Sequence, residues 1–376
     1  MSRMTKRLIY CVCSVLTGSI ALLLSHKTDW FGEWYAMHIY PVFPDTVGRV
    51  FSLLPFSVFE ILILVAAAFA AIYLVYLLAL LIVPKLRRGL KKALARAGFT
   101  LLVFVCTLFL ISTLTCTVHY GRDTFADLTG MEMVEPSKDG LLALCELLIE
   151  DIRVVIEEGE APPEEADGPA EAAAPDMRNE TAPDMRNEAR EAMKRLGSDT
   201  PVLSGYYPKP KSILFSKFMS RLSLTGIYSP FTIEANYNVD APEFTIPYTM
   251  CHELAHLKGF LREDEAGFIA YLACRGSDSR EFRYSGAISA LVYALSVLRS
   301  EASPEEYVEI ITLLPERAAG DLIRRNTYWR QYQGKASEMA NKANDIYLKA
   351  NSQEGGVKSY GRMVDLLLAE YRLSVL

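Results

Sequence analysis

Histidine is scarce in this chain: five residues in 376, at 26, 38, 119, 252 and 256. Any metal centre built on imidazole must draw on that short set. Cysteine offers no substitute. There are seven cysteines and none forms a C-x-x-C pair, so a thiolate zinc site is not expected. Cys11, Cys13, Cys106 and Cys116 fall in apolar runs, where Cys acts as a small hydrophobe. Cys145, Cys251 and Cys274 lie further on, so at most one disulfide can form among them. Formal charge is missing from three stretches, 8–25, 61–83 and 99–118. Each approaches the roughly 20 residues that cross a bilayer as a helix. Three transmembrane helices are expected. A cleaved signal peptide is the alternative for the first, with Arg3, Lys6 and Arg7 as its basic region, but no A-x-A-like site follows and a retained anchor is expected.

Lysine and arginine set the expected orientation. They cluster at Arg3, Lys6 and Arg7, and again at Lys85, Arg87, Arg88, Lys91, Lys92 and Arg96. Both clusters belong in the cytoplasm by the positive-inside rule, which puts everything after Val118 outside. Residues 1–118 have a balance of +7, leaving −13 for the remainder of a chain whose net charge is −6. An acidic exterior repels phosphate, so no nucleic-acid partner is expected. Trp30, Trp34, Tyr35 and Tyr40 suit the headgroup region, with membrane lipid as the partner there.

After the spans comes a helical connector, 119–156. Residues 157–191 turn rich in Glu, Ala, Asp and Pro, and APDMRNE occurs at 174–180 and again at 182–188. This composition predicts a disordered acidic insert. Order resumes over 192–376. The stretch 225–238 mixes β-branched and aromatic residues around Pro230 and reads as an edge strand able to take an extended peptide. Residues 285–298 have the length of a buried core helix. Ser303-Pro304-Glu305-Glu306 opens another helix. The expected fold is mainly α: three N-terminal transmembrane helices, then a helical exterior domain with a small β edge.

The chemistry is concentrated at 247–274, PYTMCHELAHLKGFLREDEAGFIAYLAC. On a helix, His252 and His256 lie one turn apart on one face and can reach a single metal ion. Glu253 between them can reach the water that the ion activates, as general base. Imidazole with carboxylate favours zinc. The other three histidines lie in or near the membrane portion, so the third ligand is expected to be a carboxylate. Glu263 and Glu265 are the candidates. Glu263 is preferred because it shares a helix face with Ala266, Gly267, Ala270 and Ala273, small enough to let two helices approach. The other, or Asp264, would orient a histidine. Tyr284, Tyr360 and Arg262 are candidate oxyanion donors, and nothing in the sequence selects among them.

This run, followed by YSG at 284–286, resembles the bacterial domain-of-unknown-function family 3810. GIYSPFTIEANYN at 226–238 and NDIYLKANSQEGGVKSYG at 344–361 fit the same pattern. The resemblance implies a membrane-anchored protein with a zincin-like domain and a metal site; it implies no substrate. Glu263-Asp264-Glu265-Ala266-Gly267 is also similar to the metal-Glu segment of gluzincin peptidases, with Gly267 where an Asp or Asn is expected. Metzincins are excluded, since Arg262 stands where their third His would be. The expectation is a zinc metallopeptidase acting on peptide bonds outside the cytoplasmic membrane. Its alternative is a non-catalytic, metal-stabilised envelope sensor or scaffold.

Overall fold

A computed structural model describes residues 1–82, 89–134, 136–159, 182–350 and 361–375. The chain divides into two units, residues 1–122 with 229–233, and residues 123–228 with 234–376.

In the first unit the uncharged runs become helices α1 (Arg3–Lys27), α2 (Val58–Ile82) and α3 (Leu90–Thr115). All three are long and apolar enough to cross a membrane. Helix α2 buries only Glu60 and Leu80, so its leucines and valines face outward. Such a surface is stable where the solvent is lipid. Helix α1 buries Cys11, Ser14, Gly18, Ala21 and Ser25, a stripe of small residues at helical spacing. That stripe lets α3 approach: a Cβ on Gly18 would lie 2.6 Å from Phe109 Cε1. The Tyr10 and Thr107 hydroxyls hydrogen-bond at 2.9 Å, and Ser25 Oγ donates to the Val118 carbonyl at 2.6 Å. Beyond α3, the buried Arg122 pairs with the half-buried Glu33 at 2.8 Å. The third helix begins earlier than its uncharged run, so Lys91, Lys92 and Arg96 lie on its opening turns. Lys85, Arg87 and Arg88 fall outside the described residues.

In the second unit, helix α4 (Lys138–Glu157) turns Leu141, Leu144, Leu148 and Ile152 inward. Residues 138–156 of the expected connector thus contribute to this unit's core, while 119–122 fall in the first unit. The acidic insert is shorter than its composition suggests. Residues 182–191, assigned to it from sequence, begin helix α5 (Ala182–Asp199), and Ala189 is fully buried. Apolar Ala189, Ala192 and Met193 recur at helical spacing, and the core captures them. Residues 160–181 lie outside the described residues.

The expected single edge strand is two strands. Strands β1 (Lys211–Ser212), β2 (Gly226–Ser229) and β3 (Glu234–Tyr237) form a sheet in the order β1-β3-β2. Pro230 sits between β2 and β3, where its missing N–H costs no ladder bond. β3 is central and buried throughout; β1 runs parallel to it, pairing Lys211 with Asn236. The rest is helical: α6 (Ile246–Leu257), α7 (Glu263–Arg275), α8 (Arg280–Glu301), α9 (Glu316–Arg330) and α10 (Gly361–Val375) carry most of the remaining chemistry. The apolar run at 285–298 is the buried interior of α8. Gly286 packs against α7, where a Cβ would lie 2.6 Å from Cys274 Cβ. Ser303 caps the helix Pro304–Thr312 in a capping box with Glu306. All seven cysteines are free.

Candidate metal centre

Two helices and one tight turn build the centre. Pro247 opens α6, where a missing N–H is harmless. Ser285 of α8 takes up the next donor: the Tyr248 N–H gives its hydrogen bond to Ser285 Oγ at 3.0 Å. Met250, Leu254 and Leu257 fill the core behind the helix, fixing its rotation. His252 and His256 thereby share one face, their ring centroids 4.5 Å apart. At the C-terminus Gly259 adopts φ +83°, a left-handed conformation that suits glycine. The reversal returns the Phe260 carbonyl to His256, whose Nδ1 donates to it at 2.8 Å. That bond fixes the tautomer and leaves the Nε2 lone pair free.

Helix α7 starts three residues later with Glu263. Its carboxylate lies 3.2 Å from His252 Nε2 and 3.8 Å from His256 Nε2. Tetrahedral zinc with bonds of 2.0–2.1 Å separates its ligand atoms by about 3.3 Å. The two imidazoles and one carboxylate thus have the chemistry and the spacing to hold a divalent ion, and their ligand atoms lie within 4.8 Å of one another. Among the described residues no fourth His, Cys, Asp or Glu joins the group. Glu263 keeps 20% of its side-chain surface exposed, so the group is reachable from solvent.

Charge follows the geometry. Burial disfavours ionisation of Glu263, but the hydrogen bond from His252 and the charges of both histidines outweigh it and hold the carboxyl down at about 2. Burial, helped by the charge of His252, lowers His256 to about 4. At neutral pH Glu263 therefore offers a carboxylate and His256 a neutral imidazole, whereas His252, against the effect of burial, is raised by the hydrogen bond and charge of Glu263, so that a metal would displace its proton.

Glu253 packs against β2 while still feeling the charges of His252 and Glu263. Its carboxylate accepts a hydrogen bond from the Tyr228 N–H, and burial pushes it up to about 8. A Cβ on Gly226 would fall 2.7 Å from Glu253 Cγ. Glycine at that position is what lets the strand and this carboxyl approach.

Glu265 is not brought to the histidines. Its carboxylate accepts from the Phe125 N–H at 3.1 Å and from Arg262 Nη1 at 3.0 Å. It is not the expected third ligand and does not orient a histidine. A residue two positions along a helix points about 200° away from its neighbour, and here that direction is the unit's interior. Asp264 pairs with Arg362 at 3.1 Å and does not orient a histidine either. Gly267 has its own reason: a Cβ would lie 2.9 Å from both Met363 Sδ and the Tyr248 hydroxyl.

The oxyanion candidates also sort themselves. The Tyr284 hydroxyl donates to Asp321 at 2.6 Å. Arg262 is held by Glu265. Tyr360 lies outside the described residues. The structure brings forward two other phenols, Tyr248 and Tyr293, which hydrogen-bond each other and both feel the charge of Glu263. Tyr248 stands one turn before His252, so helical periodicity could have found it. Tyr293, on α8, has no local signal.

The family model described as a protein of unknown function, DUF3810, matches residues 35–368. The chain belongs to this family. The match takes in the motif helix, the carboxylate helix and the membrane spans α2 and α3. No curated protein and no solved structure matches the chain. Family membership and three membrane-crossing helices make it a membrane-anchored member of DUF3810.

Proposed function

We propose that this DUF3810 member is a zinc-dependent peptidase, anchored by α1–α3, whose second unit lies outside the cytoplasmic membrane. The observation that carries the reading is the triad His252, His256 and Glu263, with Glu253 on the same helix and no fourth protein ligand among the described residues. A zinc ion held there supplies a Lewis acid that polarises a carbonyl and acidifies water. Glu253 takes the proton from the attacking water and returns it to the departing amine. Tyr293, beside the carboxylate ligand, is the phenol placed to donate to the developing oxyanion. β2 is the outer strand of its sheet next to Glu253, a place where an extended peptide can add.

The test is metal analysis and peptide hydrolysis on the full chain in detergent. Wild type is expected to hold about one zinc per chain. Glu253→Gln should keep the zinc and lose hydrolysis by on the order of 10²-fold or more. A folded wild-type chain that takes up no zinc at neutral pH would sink the reading. The orientation rests on the basic clusters flanking the spans; in sealed vesicles of known sidedness, protease should reach the second unit only from the outer face.

A further inference from the structure

Beside the metal-binding face lies a cavity of about 130 Å³ whose lining includes Thr225, Tyr248, Thr249, Tyr293, Arg325 and Trp329. Its position is tied to the reacting groups on two sides. Tyr248 and Thr249 stand one helical turn before His252 and Glu253 on α6, which places their side chains roughly 5–6 Å away. Thr225 precedes Gly226, the residue against which the Glu253 carboxyl packs. The cavity therefore opens next to the place where Glu253 would handle a proton.

Its one charged lining residue is Arg325, on α9. Among the described residues no carboxylate pairs with it, and its one side-chain hydrogen bond given is a long contact of 3.5 Å to Asn326 Oδ1. Burial pushes the guanidinium down from its ordinary value, and only Tyr293 offsets this. A desolvated cation without a counter-charge is costly in an empty protein. It becomes favourable when a ligand brings the missing carboxylate, which a guanidinium can grip with two parallel hydrogen bonds. The remaining lining is neutral and partly aromatic, including Phe244, Ile288 and Val292. That suits an apolar side chain of modest size.

The geometry points to a subsite for the C-terminal residue of a peptide, with Arg325 holding its free carboxylate and the apolar lining receiving its side chain. This rests on the peptidase reading and narrows it to a carboxypeptidase. Water adds its hydroxyl to the carbonyl carbon of the last peptide bond. The C–N bond breaks, the proton passes through Glu253 to the departing nitrogen, and one amino acid leaves with its carboxylate still on Arg325.

Trp329 lines the cavity, and only Trp30 and Trp34 accompany it in the sequence. A full-length Trp30→Phe/Trp34→Phe chain in detergent thus reports on the cavity by fluorescence. It is titrated with N-acetyl-L-leucine and with N-acetyl-L-leucinamide at constant ionic strength, with zinc and after chelation. The acid is expected to bind at least tenfold more tightly than the amide in both states. Arg325→Gln should remove that preference, and Arg325→Lys should keep part of it. Equal binding of acid and amide, no response to either, a preference that vanishes on chelation, or one that survives Arg325→Gln would each overturn the subsite. Because acid and amide are compared on the unaltered cavity, a variant that fails to fold does not decide the matter. Peptide pairs ending in acid or amide separate the two levels. Arg325-dependent binding with no hydrolysis of any peptide keeps the subsite and removes the peptidase; equal hydrolysis of acid and amide peptides keeps the peptidase and removes the subsite.

Discussion

Buried imidazoles occur in both units, and they differ in what surrounds them. His119, in the first unit, packs against Tyr40 with ring centroids 4.2 Å apart and against Tyr35 at 6.0 Å. Neither of its nitrogens has a hydrogen-bond partner among the described residues. Burial, together with the charge of Arg122, lowers its pKa well below the ordinary histidine value. The nearby carboxylate, Glu33, is already paired with Arg122. In the second unit His256 is buried and His252 half-buried, but Glu263 stands near both, and among the described residues no Lys or Arg pairs with it. The contrast teaches that burying histidine does not make a metal face. A carboxylate left over for it gives a group that could hold a metal.

The largest test of that contrast is the carboxylate itself. Glu263→Ala should weaken zinc binding by on the order of 10²-fold or more, read by titration against a competing chelator. Glu265→Ala should leave zinc affinity within a few-fold of wild type. The reverse result would assign the ligand to the wrong helix face. Glu265→Ala has a different cost, because it strips a buried acceptor from the Phe125 N–H and removes the ion pair with Arg262. The thermal transition should fall by the equivalent of about 1–3 kcal/mol. Gly267→Ala should cost a similar 1–3 kcal/mol by overpacking Met363 and Tyr248, with zinc still bound. This variant asks whether glycine there serves packing alone. His119→Phe sharpens the other side. It replaces unpartnered nitrogens with a ring of similar shape in an aromatic setting, so stability should move by less than about 1 kcal/mol and zinc content not at all.

The smallest expected effect is a pH response at the surface. Lys138, with the capping-box bonds of Ser303, holds Glu306 down at about 2, below its ordinary 4.5. A depressed carboxyl stabilises the fold above its unfolded value and loses that contribution as pH falls through the folded one. Acid should therefore loosen the helix Pro304–Thr312 between about pH 4.5 and 2, seen as faster amide exchange there. Glu306→Gln should flatten the response.

Much of this was legible in the chain. Uncharged runs located all three membrane-crossing helices, because lipid accepts apolar side chains on every face. The i, i+4 histidines and Glu253 were legible because a helix imposes that spacing by itself. Glu263 was preferred over Glu265 from the small residues sharing its face, and the structure brings Glu263 alone to the histidines. Other readings failed where long-range packing decides. The segment 182–191 looks unstructured by composition, yet three apolar residues at helical spacing suffice once a core receives them. Pro230 suggested one strand at an edge, whereas it marks a turn between two. Gly267, which stands where gluzincins have Asp or Asn, is the floor on which Met363 and the Tyr248 hydroxyl rest, a packing role the sequence does not show.

The sequence by itself determined the local terms: three helices that lipid can solvate, a helix with two imidazoles on one face, and a shortage of histidine that leaves the third ligand to a carboxylate. These follow from composition and helical period, which need no partner. Only the tertiary structure decided which carboxylate faces the pair, which are spent on Arg262 and Arg362, and that Tyr293, from a helix far along the chain, feels the charge of Glu263. Those outcomes depend on how helices rotate against one another, and rotation is set by the whole core at once.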